Sequence, residues 1–556
     1  MKKLSKILCA LCVIFGSVSC ADMMDIDSEL VEFEKDHRPD SPSDTVYSVL
    51  GIIHKMQVIA DRTVLLGEAR GDLMTVTDAA SSDLKRLAAF QLDEENKYNV
   101  PADYYAVINN CNYFIANADT LLTLRGKKVF EKELAAVKAF RAWTYMQLAM
   151  AYGNVPLLLD PIMTEAAAEE ALRQPRMSLT EICSYFISDL TPYADVKSPD
   201  YGTIGSHISG RFFIPVRLLL GDMCLWTGKY PEAAKWYHDY LAHKYEPKTP
   251  SFTGSEWPNA EFKQPNTVYA TNDLSYIPME PNRYSGIMSD LSNIYNSTSE
   301  NYYYYQLEPS VGIRELSAAQ TYCMVNETGT TSDTIYAPKD GLADNIWRGD
   351  LRLSACYRRT PVNHDKYSEY GSDYQTILKV LSMRIKTYGL SMVYLRYAEA
   401  LNRAGYPQSA FAVLKYGLNP DNIGEHVDSV EIKAAGNLIT FDPLVFTKEN
   451  TVGVHSIGCG RSDANAYYTL PMPSQALASY ADTVAYQIPL VEDLIINEMA
   501  LEGCFEGNRY YDLMRVALRR SDPSYLAAPI AKRGGVRDEA LYTLLMDTKN
   551  WYLPLK

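Results

Sequence analysis

Positive charge is the first shortage in this 556-residue chain: 53 Lys and Arg stand against 68 Asp and Glu, a formal net charge of −15. A nucleic-acid binder carries a basic patch or stripe to meet phosphates, and a balance this acidic excludes that class of partner. Long apolar runs are lacking too. Past Phe15 no stretch approaches the roughly 18 apolar residues that a membrane-spanning helix needs, so a helical channel is excluded. The eight histidines contain no H-x-x-x-H pair, and the isolated His455 reads as a loop hydrogen-bonder, so no metal site is expected. There is no G-x-S-x-G, no P-loop and no G-x-G-x-x-G at a strand-to-helix turn, and no cofactor is expected.

Paired cysteines are also missing. Of ten cysteines, Cys9 and Cys12 fall in the first apolar run and Cys20 follows it. The remaining seven, Cys111, Cys183, Cys224, Cys323, Cys356, Cys459 and Cys504, are odd in number and form no C-x-x-C. Cys111, Cys183, Cys224 and Cys504 lie in segments of helical apolar period, where a free thiol behaves as a small hydrophobe. Tyrosine is abundant by contrast, 42 against 15 phenylalanines, which suits aromatic faces with a wet edge for polar ligands.

Lys2, Lys3 and Lys6 followed by the apolar run Ile7 to Phe15 read as a cleaved secretion signal over residues 1–19. Small residues Ser17 and Ser19 precede Cys20, which resembles a bacterial lipobox, although that motif usually carries Leu where Ser17 stands. The resemblance implies that Cys20 is thioether-linked to diacylglycerol, so that lipid supplies the anchor. Asp22, Asp25, Asp27, Glu29, Glu32 and Glu34 then make residues 20–40 an acidic, solvated tether.

The body is expected to be mainly helical, a single domain over residues 41–556. Two segments echo each other: Gly228 stands five residues before Ala233 with Pro231 between them, and Gly405 five before Ala410 with Pro407 between them. Both resemble the tetratricopeptide helix-turn-helix, in which the glycine closes one helix and the proline is tolerated in the first turn of the next. Such pairs cannot bury their own apolar faces, so other helices must complete the stack. Glu131 to Tyr152 reads as one long helix, apolar nearly all round, and Val491 to Cys504 with Asn508 to Leu518 as a further pair. Between about 245 and 385 the pattern changes to Pro, Ser, Thr, Asn, Gly and Tyr, a loop-rich insertion with a few short strands or helices, where a ligand site is expected.

Four stretches together resemble the SusD/RagB family of nutrient-binding lipoproteins. They are Tyr104 to Asn112, Lys138 to Leu157, Tyr394 to Asn402, and Glu502 to Leu513, with the closing Trp551-Tyr-Leu-Pro-Leu behind them. The resemblance implies a SusD-like helical body docked on a SusC-like TonB-dependent barrel, at the cell surface of an outer membrane. It implies capture of an oligosaccharide for import, or of a peptide in the RagB branch, without catalysis. Starch-binding relatives often carry a stacking Trp after the stretch that here reads Gly67 to Asp72; residues 73–100 contain none and offer Phe90 and Tyr98 instead.

Sugar sites combine flat apolar faces with hydrogen-bonding groups. The run Tyr302, Tyr303, Tyr304 and Tyr305, with Asn282, Arg283 and Tyr284 upstream, offers both, and equally reads as a strand of alternately buried tyrosines. With Asp72, Phe90 and Tyr98 these residues form the candidate ligand site. The most enzyme-like feature is Glu498 with Glu502, but carboxylates at i and i+4 point the same way from one helix and cannot flank a scissile bond. They are expected instead to pair with a buried arginine, Arg141, with Arg509 and Arg515 just downstream as the other candidates. Glu399, between Arg396 and Arg403, reads as a solvated or an inter-repeat ion-pair cluster of little worth to stability. The rival classes are a tetratricopeptide-type protein scaffold and a surface hydrolase.

Overall fold

The computed structural model describes residues 42–555 apart from 92, 94, 125, 172, 243–272, 297–304, 320–322, 329–330, 337–349, 351–352, 354–356, 361–373, 378, 380–382, 448–449 and 455–468. The signal, the tether with Cys20, the residues Tyr302, Tyr303 and Tyr304, and His455 lie outside the described residues. The body is mostly helical, and its strands form short two-stranded antiparallel pairs.

The principal helices are α1 (Pro42–Glu68), α2 (Pro101–Asn117), α3 (Glu131–Tyr152), α4 (Leu179–Leu190), α5 (Val216–Trp226), α6 (Tyr230–Leu241), α7 (Leu390–Arg403), α8 (Pro407–Lys415), α9 (Tyr480–Glu502), α10 (Arg509–Arg520), α11 (Ser524–Lys532) and α12 (Glu539–Leu545). From α2 to α9 each helix packs on the next, a stack built in chain order, and α1 lies against α2, α3 and α10. The sequence pattern explains α3. From Leu134 to Tyr152 only Lys138 and Gln147 are not buried, because α1, α2, α4 and α5 all pack on it. Four thiols in the helical stack, Cys111, Cys183, Cys224 and Cys504, are buried and not disulfide-bonded, and burial pushes Cys111 and Cys224 up to about 12, as unreactive core groups.

The two echoing segments form the pairs α5/α6 and α7/α8, closed by the same turn. Gly228 (φ +73°) and Gly405 (φ +100°) take the left-handed conformation. Lys229 N–H donates to Cys224 O and Gly228 N–H to Leu225 O; Tyr406 N–H donates to Leu401 O and Gly405 N–H to Asn402 O. These are paired Schellman closures, and Pro231 and Pro407 then open the following helices. At α4, Ser178 and Glu181 form a reciprocal capping box.

The first and last long helical segments of the described body meet. An added Cβ on Gly67 would lie 1.8 Å from Gly507 O, so the end of α1 and the turn before α10 touch backbone to backbone. Beside this contact the buried Arg70 donates to Leu66 O (2.8 Å), Trp551 O (2.9 Å) and Tyr511 Oη (3.0 Å), with its guanidinium 4.2 Å from the Tyr510 ring centroid.

Within 245–385 the described parts are the strand β2 (Asp273–Pro278), two short helices (Leu291–Tyr295 and Val311–Ala318), the strand β3 (Leu307–Pro309) and two hairpins, Cys323–Thr328 with Thr331–Tyr336 and Tyr357–Thr360 with Tyr374–Ile377. β2 pairs with β4 (Arg384–Gly389), and β1 (Met74–Val76) pairs with β3, Thr75 opposite Glu308. The insertion is thereby tied to both flanks of the helical body.

Charged residues depart from the sequence reading. Glu399 is fully buried rather than solvated: Arg515 clamps it through two bonds of 2.9 and 2.7 Å, and Arg519 adds a third at 2.9 Å. Its sequence neighbours turn elsewhere, Arg396 to Asp222 on α5 (2.6 Å) and Arg403 to Glu492 on α9 (2.5 Å), because neighbouring helices cover the polar face of α7. Arg141 does not pair with Glu498 or Glu502. It donates to Asn112 Oδ1 (3.0 Å) and Asp189 Oδ2 (3.2 Å), on the helices that flank α3. Nor does Arg509 meet those glutamates; it closes on Asp72 and on Ile496 O. Glu498 and Glu502 are buried, each with an interaction of its own.

Candidate functional site

The sequence places candidate residues after Asp72, at 282–284 and at 302–305; of these stretches the fold brings residues 74–81, 282–290 and 305–308 to one rim beside α1. Asp61, on α1, accepts from Ser289 Oγ (2.6 Å) and from Asp290 N–H (2.7 Å), and burial raises its carboxyl to about 6. Asp290 leads into the Leu291–Tyr295 helix, whose Asn293 and Ile294 carbonyls receive the N–H groups of Tyr305 and Gln306. Thr77 Oγ1 donates to Tyr305 O (2.5 Å), and Gln306 Oε1 accepts Ser81 N–H (3.0 Å). Strand pairing of β1 with β3 continues this seam.

On the rim, Asn282 Oδ1 accepts the N–H groups of Tyr284 (3.0 Å) and Ser285 (3.1 Å), pinning a tight turn. The turn presents Tyr284 fully to solvent, at 102 % relative exposure. Beside it Arg283 holds Asp290 through two bonds of 2.7 and 2.9 Å, and both side chains remain exposed. Tyr305 is half-buried, and its hydroxyl donates to Glu308 Oε2 at 2.8 Å.

Three candidates are corrected. Asp72 is buried and receives Arg509 Nε at 2.7 Å and Nη2 at 2.9 Å, so its acceptor capacity is used inside the protein. Phe90 is buried: at φ +56° the chain turns inward after the Ser82–Ala88 helix and sets its ring 5.9 Å from that of Tyr510. Tyr98 is buried too, with Lys97 Nζ 4.9 Å from its ring centroid. Neither aromatic offers a face to a ligand.

Sequence reasoning missed two clefts at another part of the surface. One, of about 740 Å³, runs between the turn after α3, the start of α4, the α5/α6 turn and the C-terminal segment, walled by Trp226, Tyr230 and Tyr552. The other, of about 510 Å³, lies between Glu95–Ala102, Tyr105 and Pro156. Arg176 and Leu555 line both. Trp226 and Tyr230 flank the glycine turn of a tetratricopeptide-like pair, so aromatics beside such a turn were the available signal. The Tyr552 ring is laid on Gly153, where an added Cβ would come within 3.1 Å of it.

Among the described residues no group of three or more His, Cys, Asp or Glu is disposed to hold a metal ion, and no helix is long and apolar enough to cross a membrane.

No protein-family model matches the chain, and no curated protein does. Solved structures do. A SusD superfamily protein of Bacteroides vulgatus is similar over 93 % of this chain and 96 % of its own, at 15 % identity and a TM-score of 0.57. A SusD-like carbohydrate-binding protein of the same species matches over 86 % of this chain and 83 % of its own (13 % identity, TM-score 0.53). One from Bacteroides fragilis matches over 87 % of each chain, at the same identity and score. With its tetratricopeptide-like pairs and its loop-rich insertion tied back to α1, the chain has the fold of the SusD superfamily.

Proposed function

We propose that this protein is a non-catalytic surface lipoprotein, anchored in the outer membrane through Cys20, that binds an oligosaccharide and delivers it to a SusC-like TonB-dependent barrel. The observation that carries the binding role is Tyr284. A fully exposed aromatic ring on a turn pinned by Asn282, next to the charged groups of Arg283 and Asp290, supplies a flat apolar face for sugar C–H surface with hydrogen-bonding groups around it. The fold supports the reading, since two similar structures are those of SusD-like carbohydrate-binding proteins. Lipid anchoring rests on the sequence around Cys20.

Calorimetric titration of the purified protein against neutral oligosaccharides and mixed peptides tests it. Saccharide binding weakened about fivefold by Tyr284→Ala, a loss of about 1 kcal/mol, supports the reading. Binding of peptides alone replaces the oligosaccharide with a RagB-like ligand. Saccharide turnover by the protein, lost in Glu498→Gln, would overturn the non-catalytic assignment.

A further inference from the structure

The 740 Å³ cleft has a charge unlike that of the chain around it. Among the described residues that line it there are four cations, Arg176, Arg515, Arg519 and Lys549, and no Asp or Glu, in a protein of net charge −15. Two of the four are neutralised: Arg515 by Glu399 and Asp512, Arg519 by Glu399 and Glu492. Arg176 and Lys549 are exposed, and neither side chain has an ion-pair partner among the described residues. Two uncompensated charges therefore face a concave surface.

The aromatic groups of the same cleft are equally unengaged at their polar ends. Trp226, Tyr230 and Tyr552 are half-buried, so each ring is held by packing. Among the described residues neither the Trp226 indole N–H nor the hydroxyls of Tyr230 and Tyr552 make a hydrogen bond. Trp226 is further fixed by Arg515, 5.5 Å from its ring, and Tyr230 by Arg519 at 5.7 Å. Rings fixed from behind lose little freedom when a ligand arrives.

From these observations we infer that the cleft is a second solute site, separate from the Tyr284 rim, and that it takes an oligosaccharide bearing an anionic group, a carboxylate or a sulfate. The rings would cover sugar C–H faces, their free polar ends would meet hydroxyls, and Arg176 and Lys549 would hold the anion by charge-assisted hydrogen bonds. The neighbouring 510 Å³ cleft shares Arg176 and Leu555 with it, so an extended chain lying in both would pass the guanidinium. A single sugar does not need that length; an oligosaccharide does.

The test titrates the full protein with tetragalacturonate, with a sulfated tetrasaccharide from heparin, and with a neutral tetrasaccharide, at low and at physiological salt. The expected result is binding of at least one anionic probe in preference to the neutral one at this cleft, weakened by salt. The double variant Arg176→Ala/Lys549→Ala should lose at least about tenfold in affinity for that probe. Both side chains are exposed, so folding should be kept, with an unchanged melting temperature as the control. Tyr284→Ala should leave the anionic probe untouched while weakening the neutral saccharide, which separates failure of this site from failure of the rim. Which anionic probe binds distinguishes carboxylate from sulfate. Binding of neither, or equal affinity in the double variant, overturns the inference.

Discussion

Arg509 closes a two-bond ion pair on Asp72 from 437 positions away in the chain, and it joins the segment after α1 to the first turn of α10. Both side chains are 7 % exposed, so neither charge can fall back on water if its partner is removed. Asp72→Asn should leave Arg509 buried with half its anchor and destabilise the protein by about 3 kcal/mol, read as a lower midpoint in urea denaturation. Saccharide affinity should not change in the folded variant. A loss of affinity at unchanged stability would restore Asp72 to the ligand site.

Arg141→Ala acts by the same logic elsewhere. The arginine is 5 % exposed, held by Asp189 and Asn112, and removing it strands two acceptors between α2, α3 and α4. A loss of about 2 to 3 kcal/mol is expected, less than for Asp72 because Asp189 keeps Lys138 as a second partner. Glu498→Gln in the Arg141→Ala background should then add its full separate effect, since the two side chains share no contact. A double-mutant cycle with a coupling above about 0.5 kcal/mol would contradict the observed pairing.

Local features of the fold were legible because their causes are local. Helix α3 follows from a segment apolar nearly all round, and the paired turns at Gly228 and Gly405 follow from a glycine and a proline at fixed offsets. Glu399 was misread for the opposite reason. Its neighbours at i−3 and i+4 are arginines, which periodicity turns into an exposed cluster, whereas its partners Arg515 and Arg519 stand more than a hundred positions later. Asp72 and Phe90 were misplaced likewise, since packing of Arg509 and Tyr510 against them decides their burial. The loop character of the stretch around Asn282 and Tyr284 was legible because a turn in a polar stretch is itself local.

Glu399 should make the protein acid-sensitive in a defined window. Burial alone would raise its pKa, but the guanidiniums of Arg515 and Arg519 prevail and hold it at about 2, against 4.5 unfolded. A depressed carboxylate contributes stability that is present above pH 4.5 and lost as pH falls towards 2, here about 3 kcal/mol. Glu399→Gln should therefore be less stable at pH 7 and should flatten the fall between pH 4.5 and 2. A variant with the wild-type acid profile would assign that fall to other carboxylates.

Glu68 gives the reverse sign. It is fully buried at the Gly67–Gly507 contact; one carboxyl oxygen accepts Gly507 N–H at 2.7 Å and the other has no hydrogen-bond partner among the described residues. Burial raises its pKa to about 8, in spite of the Gly507 bond and Lys379. Between pH 4.5 and 8 the folded protein keeps this proton while the unfolded chain releases it, so stability falls as pH rises, by up to about 4 kcal/mol. Glutamine has the shape of the protonated acid and preserves an acceptor for Gly507 N–H. Glu68→Gln should thus match the wild type near pH 4, gain on it steadily up to pH 8 and run parallel above. Melting curves across that range decide it: a constant difference between the two proteins would mean that Glu68 does not titrate there, and that Lys379 holds it ionised.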